Sequence, residues 1–294
     1  MAMTLAQQQL LIKDAVKSGV IDIFQEESQV LKYLPFKNIN SNAYVYNQEA
    51  TLPGANFRAV NGSYDQAEGT WSQSTETLVA FGNETKIDRY LTKTQNTNDV
   101  RAEQVQMMIK SLALDFDASF LSSNEAGSSA TPNSFDGLGY RLGSGQKIDG
   151  GGDALTLTEL DQLIDAIKGQ NPTCIFCDPA MVRKVSNLVR SENQAVETVS
   201  NSFGQRLVMY AGVPLVACEE DSSGNPVLND NTSSPAYTAY AVKFGNDMCV
   251  GLQSGGIEME SRKEFPHEII SVEWIVSFIL AHPKSAAMLH NFTI

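Results

Sequence analysis

Residues 98–122 read NDVRAEQVQMMIKSLALDFDASFLS, and this stretch decides the fold. It contains no Gly and no Pro and is rich in Ala, Leu, Met, Gln and Glu, residues that lose little on entering a helix. Val105, Met108, Ile109, Leu112, Phe116 and Phe120 recur at the spacing of one buried helical stripe. At about 1.5 Å per residue the segment makes a rod of about 38 Å, long for a globular helix. Met107, Leu114 and Leu121 form a second line seven residues apart, with Glu103, Lys110 and Asp117 beside it. A helix on the outside of a monomer keeps that side polar. The double line therefore predicts a spine covered on both sides, by its own domain and by an arm or loop of this chain or of a neighbouring subunit. A central helix inside one large domain accounts for the same pattern.

A chain of 294 residues can bury a sizeable core and has room for one large domain or two. Hydrophobic residues at 42% and charged residues at 19% describe a folded protein rather than a disordered or fibrous one. The formal charge is −13, from 34 acidic against 21 basic residues, and no run of Lys and Arg interrupts it. Such a surface repels nucleic acid, so no specific nucleic-acid binding is expected. The N-terminus lacks the basic start and apolar core of a signal peptide. The most apolar run, Ile269 to Ala281, is broken by Ser271, Glu273 and Ser277 and is too short to span a bilayer, so no membrane role is expected. The cysteines Cys174, Cys177, Cys218 and Cys249 read as reduced thiols of a cytoplasmic chain.

Outward from the spine, Thr4 and Gln7 fit a capping box for a helix from about Leu5 to Gly19. Pro35 then stops helix and starts an extended arm. Residues 43–91 alternate weakly around isolated Phe57, Tyr64 and Trp71, and predict two long strands returning on each other with a polar tip near Asn56 to Gly69. Such a hairpin cannot build a core alone and must lie on something, either its own domain or another chain. After the spine, seven glycines between Gly137 and Gly152 mark a bend-rich connection and a flexible hinge. From Thr156 the pattern becomes α/β. Thr156 and Glu159 cap one helix, Thr173 to Cys177 is a strand, and Asp178 with Pro179 opens a second helix. Arg206–Tyr210 and Val213–Cys218 are strands, and Glu219 to Pro235 is a polar surface loop. Four more strands follow at Tyr237–Phe244, Met248–Leu252, Ile257–Lys263 and Ile269–Leu280, then a tail, HPKSAAMLHNFTI.

Motifs that carry chemistry are weak throughout. Gly137, Gly139 and Gly143 are one residue out of step with a dinucleotide loop, with no strand before and no helix starting there. Cys174 and Cys177 form a C-x-x-C without a second ligand pair, and lie in an apolar strand as buried thiols. The three histidines, His267, His282 and His290, sit in the last 28 residues, and no nucleophile elbow accompanies them. No catalytic, cofactor-binding or metal-ligating residue is assigned, and no enzyme is expected.

The order of parts then carries a resemblance. VLKYLPFKNI precedes the hairpin, FDGLGYRLG follows the spine, and CDPAMVRKVSNLV lies within the α/β unit. YAGVPLVACEED, VKFGNDMCVGLQSGGIEMESRKE and AHPKSAAMLHNFT complete the series. In this order the chain resembles the major capsid proteins of tailed bacteriophages, whose shell fold is shared with encapsulins and the herpesvirus capsid floor. The resemblance implies an α+β fold in five parts: an N-terminal arm at 1–42, an extended loop hairpin at 43–91, and a peripheral domain with the spine helix at 92–153. An α/β axial domain follows at 154–244, and 245–294 supply return strands to the peripheral domain. Gln48 to Leu78 would lie over a neighbouring subunit. Candidate assembly residues are Phe57, Tyr64, Trp71, Met107, Leu114 and Leu121.

What the resemblance implies about function is a virion shell of pentamers and hexamers around double-stranded DNA, made in the bacterial cytoplasm. Expected partners are further copies of the chain, a portal protein, a separate scaffolding protein and a decoration protein. Separate scaffolding is expected because about 35 residues precede the hairpin arm, too few for a built-in scaffold segment. No lysine occurs between Lys37 and Lys86, so the loop has no amine for the covalent crosslink that some members form. An encapsulin-like compartment shares the fold, and a cytoplasmic α/β enzyme or binding protein is the reading from another class.

Overall fold

A computed structural model describes residues 3–4, 27–94, 100–123, 125, 133–192, 197–200, 206–230 and 236–294. The expected helix from Leu5 to Gly19 lies outside the described residues.

The predicted spine is a helix over Val100–Phe120, labelled α2, after a short α1 at Arg89–Thr94. Its stripe faces one half of a five-stranded sheet. That sheet runs β1 (Met3–Thr4), β2 (Pro35–Asn38), β13 (Cys249–Glu264), β14 (His267–Leu280) and β5 (Val79–Asp88). Met108, Ile109, Leu112, Phe116 and Phe120 are buried against it. Phe116 lies 5.2 Å from Trp274 and 6.1 Å from Phe81, centroid to centroid, and Phe120 lies 4.4 Å from Phe278. Alternation along β14 puts Val272, Trp274, Val276 and Phe278 on one face, so a 3.6-residue period and a 2-residue period meet in a single aromatic seam. The indole N–H of Trp274 donates to Gln253 Oε1 at 3.1 Å, which satisfies the one polar atom the ring carries into the core.

The sequence suggests separate strands at 248–252 and 257–263. They are one 16-residue strand, β13, paired with β14 from Cys249–Leu280 to Glu264–His267. Gly255 and Gly256 both adopt positive φ, 77° and 82°, and stand as extra residues between the Ser254–Ile275 and Ile257–Trp274 pairs. Glycine tolerates that conformation, so the pair makes a bulge inside the strand rather than ending it.

The second sheet has the order β6 (Lys147–Asp149), β15 (Ala286–Phe292), β12 (Ala236–Val242), β7 (Cys174–Cys177), β10 (Val213–Ala217), β9 (Arg206–Tyr210) and β8 (Glu197–Ser200). A two-residue β11 (Asn229–Asp230) adds to β12. Residues 286–292, grouped from sequence with the return strands of the first sheet, pair instead with β12 and β6. Their run AAMLHNF shows no polar alternation because both faces of this sheet are buried. Cys174, Phe176, Tyr240, Val242, Ala286 and Met288 point to the spine side, where Leu31, Leu34, Phe120 and Leu121 share their core. Ile175, Cys177, Ala239, Ala241, Ala287 and Leu289 point the other way.

Two helices cover that other face, α4 (Leu157–Asp165) and α5 (Pro179–Ser191); a short α3 (Leu138–Arg141) lies between the spine and the sheet in sequence. Thr156 and Glu159 form the expected capping box. The Asp178 carboxylate accepts from the Ala180 amide at 2.7 Å, with Pro179 at the first helical position. The polar loop from Glu219 is more ordered than its composition suggests: Leu228 is buried, and the Ser222 amide donates to Asp115 of the spine at 3.1 Å.

Because Phe116 touches Phe81, Phe120, Phe135 and Trp274, truncating it should open a cavity that no neighbour can fill. Phe116→Ala should cost about 3–5 kcal/mol in chemical denaturation, several times the loss at an exposed apolar position such as Met107→Ala. Equal losses at the two positions would contradict the seam as the centre of the core.

Candidate functional site

The hairpin joins β3 (Ala43–Thr51) to β4 (Thr70–Thr77) and forms a two-stranded sheet of its own. Its alternation shows how it is held. Tyr44, Tyr46, Gln48, Ser74 and Glu76 are half-buried, while Val45, Asn47, Glu49, Gln73, Thr75 and Thr77 between them are exposed. Directly opposed residues share a face, and here Tyr44 opposes Glu76 and Tyr46 opposes Ser74. That face meets the body in three places. Tyr44 and Tyr46 pack on the cluster of Ile39, Val250, Leu252 and Ile279. Gln48 Nε2 donates to the Leu280 carbonyl at 2.6 Å. Glu76 accepts two bonds from the Arg141 guanidinium, each 2.7 Å, and a third from Ser277 Oγ at 2.6 Å.

Farther out, the hairpin leaves the body. Leu52, Val60 and Tyr64 are exposed, Phe57 fully so, and Trp71 is 69% exposed. The tip is closed by local contacts: the Gly62 amide donates to the Ala59 carbonyl at 3.0 Å, and Arg58 stands over the Tyr64 ring at 5.3 Å. Several large apolar side chains on one slender projection make an unusual surface for an isolated chain, and one suited to a partner.

The second line of the spine divides. Met107 is 65% exposed, Leu114 is half-buried, and Leu121 is 2% exposed within the chain's own core. Leu121 therefore offers no surface to a neighbour and drops out of the assembly candidates. The cover comes from this chain's arm, residues 27–34, where Val30, Leu31 and Leu34 are buried. Lys110 pairs with Glu27 at 2.9 Å, and Leu114 lines a hollow with Glu27, Gln29 and Glu219. Asp117, which reads from sequence as part of a charged margin, is fully buried beneath the arm. Its carboxyl accepts from Ser28 Oγ, from the Gln29 amide at 2.6 Å and from the Val30 amide at 3.3 Å.

The glycine-rich segment after the spine reads as a hinge but is packed at its start. A Cβ on Gly137 would come within 2.2 Å of Ser122 Oγ, and the Gly139 amide donates to the Ser122 carbonyl at 2.9 Å. Glycine is needed there because one backbone passes directly against another. This contact holds α3, and with it Arg141, at the end of the spine. The sequence does not mark Glu76, Arg141 and Asp117 as structural anchors. The only available signals were a polar residue on the inward face of a strand and a lone arginine inside a glycine run.

All four cysteines are buried, and burial pushes their thiols up, Cys174 and Cys218 well above the ordinary range. Among the described residues no cluster of three His, Cys, Asp or Glu side chains is placed to hold a metal ion. No helix among them is long and apolar enough to cross a membrane.

A projecting hairpin with apolar tips, a long helix on a strand pair and an α/β unit together make up the fold. The SU10 major capsid protein family matches residues 6–212, and this chain belongs to that family. Its role is that of a major capsid protein, a component of the virion shell. Solved structures share the fold at low identity. An encapsulin complex from Synechococcus elongatus, the holo-SrpI assembly, is 16% identical with a TM-score of 0.68, over 90% of this chain and 86% of that one. A structure from Microbacterium phage Oxtober96 is 11% identical with a TM-score of 0.64, over 90% of each chain. The capsid of a native GTA particle is 12% identical with a TM-score of 0.63, again over 90% of each. No curated protein sequence matches.

The Asp117 anchor carries a pH signature. Burial pushes its carboxyl up to about 7, against the pull of the Ser28, Gln29 and Val30 donors and of Lys32. The folded value thus lies above the ordinary 3.8, so its contribution is fully present below 3.8 and is lost as pH rises through about 7. Hydrogen-exchange protection of the Gln29 and Val30 amides should rise as pH falls from about 8 to about 5, and Asp117→Asn should flatten that dependence. Unchanged protection in the wild type over that range would contradict it.

Proposed function

We propose that the chain assembles as pentamers and hexamers into a closed icosahedral shell around a double-stranded DNA genome, with each hairpin laid across a neighbouring subunit. The observation that carries this reading is the exposure of Phe57, Trp71, Leu52 and Val60 on a projection whose apolar packing on the described part of its own body is at the root. Buried against a neighbour, those side chains would supply the apolar part of an interface at about 25 cal/mol per Å2. Phe57, Tyr64 and Trp71 are the contacts of the hairpin, and Met107 and Leu114 are contacts of the spine's outer face. The unit spanning 154–244, completed by β15, surrounds the symmetry axis. The spine and the five-stranded sheet, built from 92–153 and most of 245–294, form the periphery.

The role is structural, and no catalysis is ascribed to it. A portal protein and a separate scaffolding protein serve assembly, with a decoration protein as a further partner. The acidic balance of the chain suits a wall along which DNA slides, since few cations are available to hold phosphate by counterion release.

Electron microscopy of the purified protein tests the reading: closed shells or capsomers are expected, and a persistent compact monomer overturns it. Shells found with nucleic acid inside support the phage reading, and shells found with an enclosed enzyme support the encapsulin one. Phe57→Asp with Trp71→Asp should leave the melting temperature of the subunit within a few degrees while abolishing closed shells. Met107→Asp should impair assembly more than folding. Denaturing gels of assembled shells should show a single monomer band, because residues 38–85 contain no lysine; a ladder of multimers would contradict this.

A further inference from the structure

The hairpin root presents a problem in energetics. Glu76 and Arg141 have side-chain exposures of 12% and 9%, so both charges are nearly out of water. Burying an ion pair costs so much desolvation that an apolar pair of equal volume holds two elements together as well or better. Yet the pair is fully furnished. The two guanidinium bonds are 2.7 Å each, Ser277 Oγ adds 2.6 Å to Glu76 Oε1, Arg141 Nε donates to the Asp136 carbonyl at 2.9 Å, and the guanidinium lies 4.5 Å over the Phe278 ring. Three elements meet there: the hairpin through β4, α3 at the end of the spine, and β14 through Ser277 and through Phe278 of the aromatic seam.

What an ion pair of this kind supplies is direction. Apolar contacts such as those of Tyr44 and Tyr46 tolerate sliding and rotation, whereas a planar fork meets a carboxylate with both bonds short in essentially one orientation. Glu76 stands two residues before the hairpin's exit at Leu78, so any rotation of the hairpin about its root breaks the fork first. We propose that the Glu76–Arg141 pair is the element that fixes the angle at which the hairpin leaves the subunit, and that it thereby sets the curvature of the shell. This rests on the reading that the hairpin lies across a neighbour: a rotation at the root moves the tip, and each neighbour is placed by the tip.

The experiment separates holding from aiming. Glu76→Leu with Arg141→Met removes both buried charges together and leaves an apolar root. The subunit should melt at or above the wild-type temperature, while its assemblies, sized by electron microscopy, lose the single wild-type diameter and become open or mixed. Arg141→Lys keeps the charge but not the fork, and should give the same mixed assemblies; it decides the matter if the double variant does not fold. Ser277→Ala, which removes one bond and leaves the fork, should assemble as wild type. Closed shells of wild-type diameter from the double variant, or from Arg141→Lys, would overturn the proposal. A wild-type protein that forms no shells would instead overturn the assembly reading itself.

Discussion

Packing of the spine helix against β14 is the constraint from which the rest of the molecule follows. Phe116 on Trp274 and Phe120 on Phe278 register a helix of 21 residues along a strand of 14, and once that seam is set little freedom remains. β14 carries β13 on one side and β5 on the other, so the sheet inherits its position from the seam. The far end of the same seam, at Phe278, also receives the Arg141 guanidinium and hence the hairpin root. At the other sheet, Phe120 and Leu121 share a core with Phe176 and Tyr240. One helix therefore holds both sheets, and the projecting hairpin takes its position from the same residues that stabilise the core.

The spine's outer face shows how polar and apolar contacts divide their work. Leu121 and the arm residues Val30, Leu31 and Leu34 contribute buried area, which is non-directional. Asp117 contributes placement, taking three donors from consecutive residues of the arm into one carboxyl. The hairpin root repeats this arrangement, with Tyr44 and Tyr46 supplying area and Glu76 supplying direction. In both places a buried carboxylate fixes a segment onto the body of the chain.

Much of this architecture is legible in the sequence, and what escapes does so for identifiable reasons. The spine, the Thr156–Glu159 box and the Asp178–Pro179 start all rest on local rules, and local rules are what a sequence displays. The tail Ala286–Phe292 escapes because a strand buried on both faces loses the alternation that marks strands. The long β13 is read as two because Gly255 and Gly256 look like an ending and act as a bulge. Asp117, Glu76 and Arg141 escape because a buried polar residue has no period; only its partners make it recognisable, 65 positions apart for Glu76 and Arg141, 87 to 89 for Asp117 and the arm, and 201 for Glu76 and Ser277. The apolar tip at Phe57 and Trp71 is visible in both sequence and structure, and its exposure is the observation on which the proposed interface rests.

The placement of β15 has a consequence for the order in which a ribosome can make this protein. Residues 286–292 are not an edge of the second sheet; they sit between β6 and β12, with one strand on each side. Until they emerge, β12 exposes an unsatisfied row of backbone groups, and both faces of the sheet lack Ala287, Leu289, Ala286 and Met288. The hairpin, by contrast, is synthesised early and needs only its own two strands to pair. In chain order the exposed projection therefore precedes the strand that completes the second sheet. The second sheet is complete only once residues 286–292 have joined both β12 and β6, so this sheet closes on strands far apart in the chain.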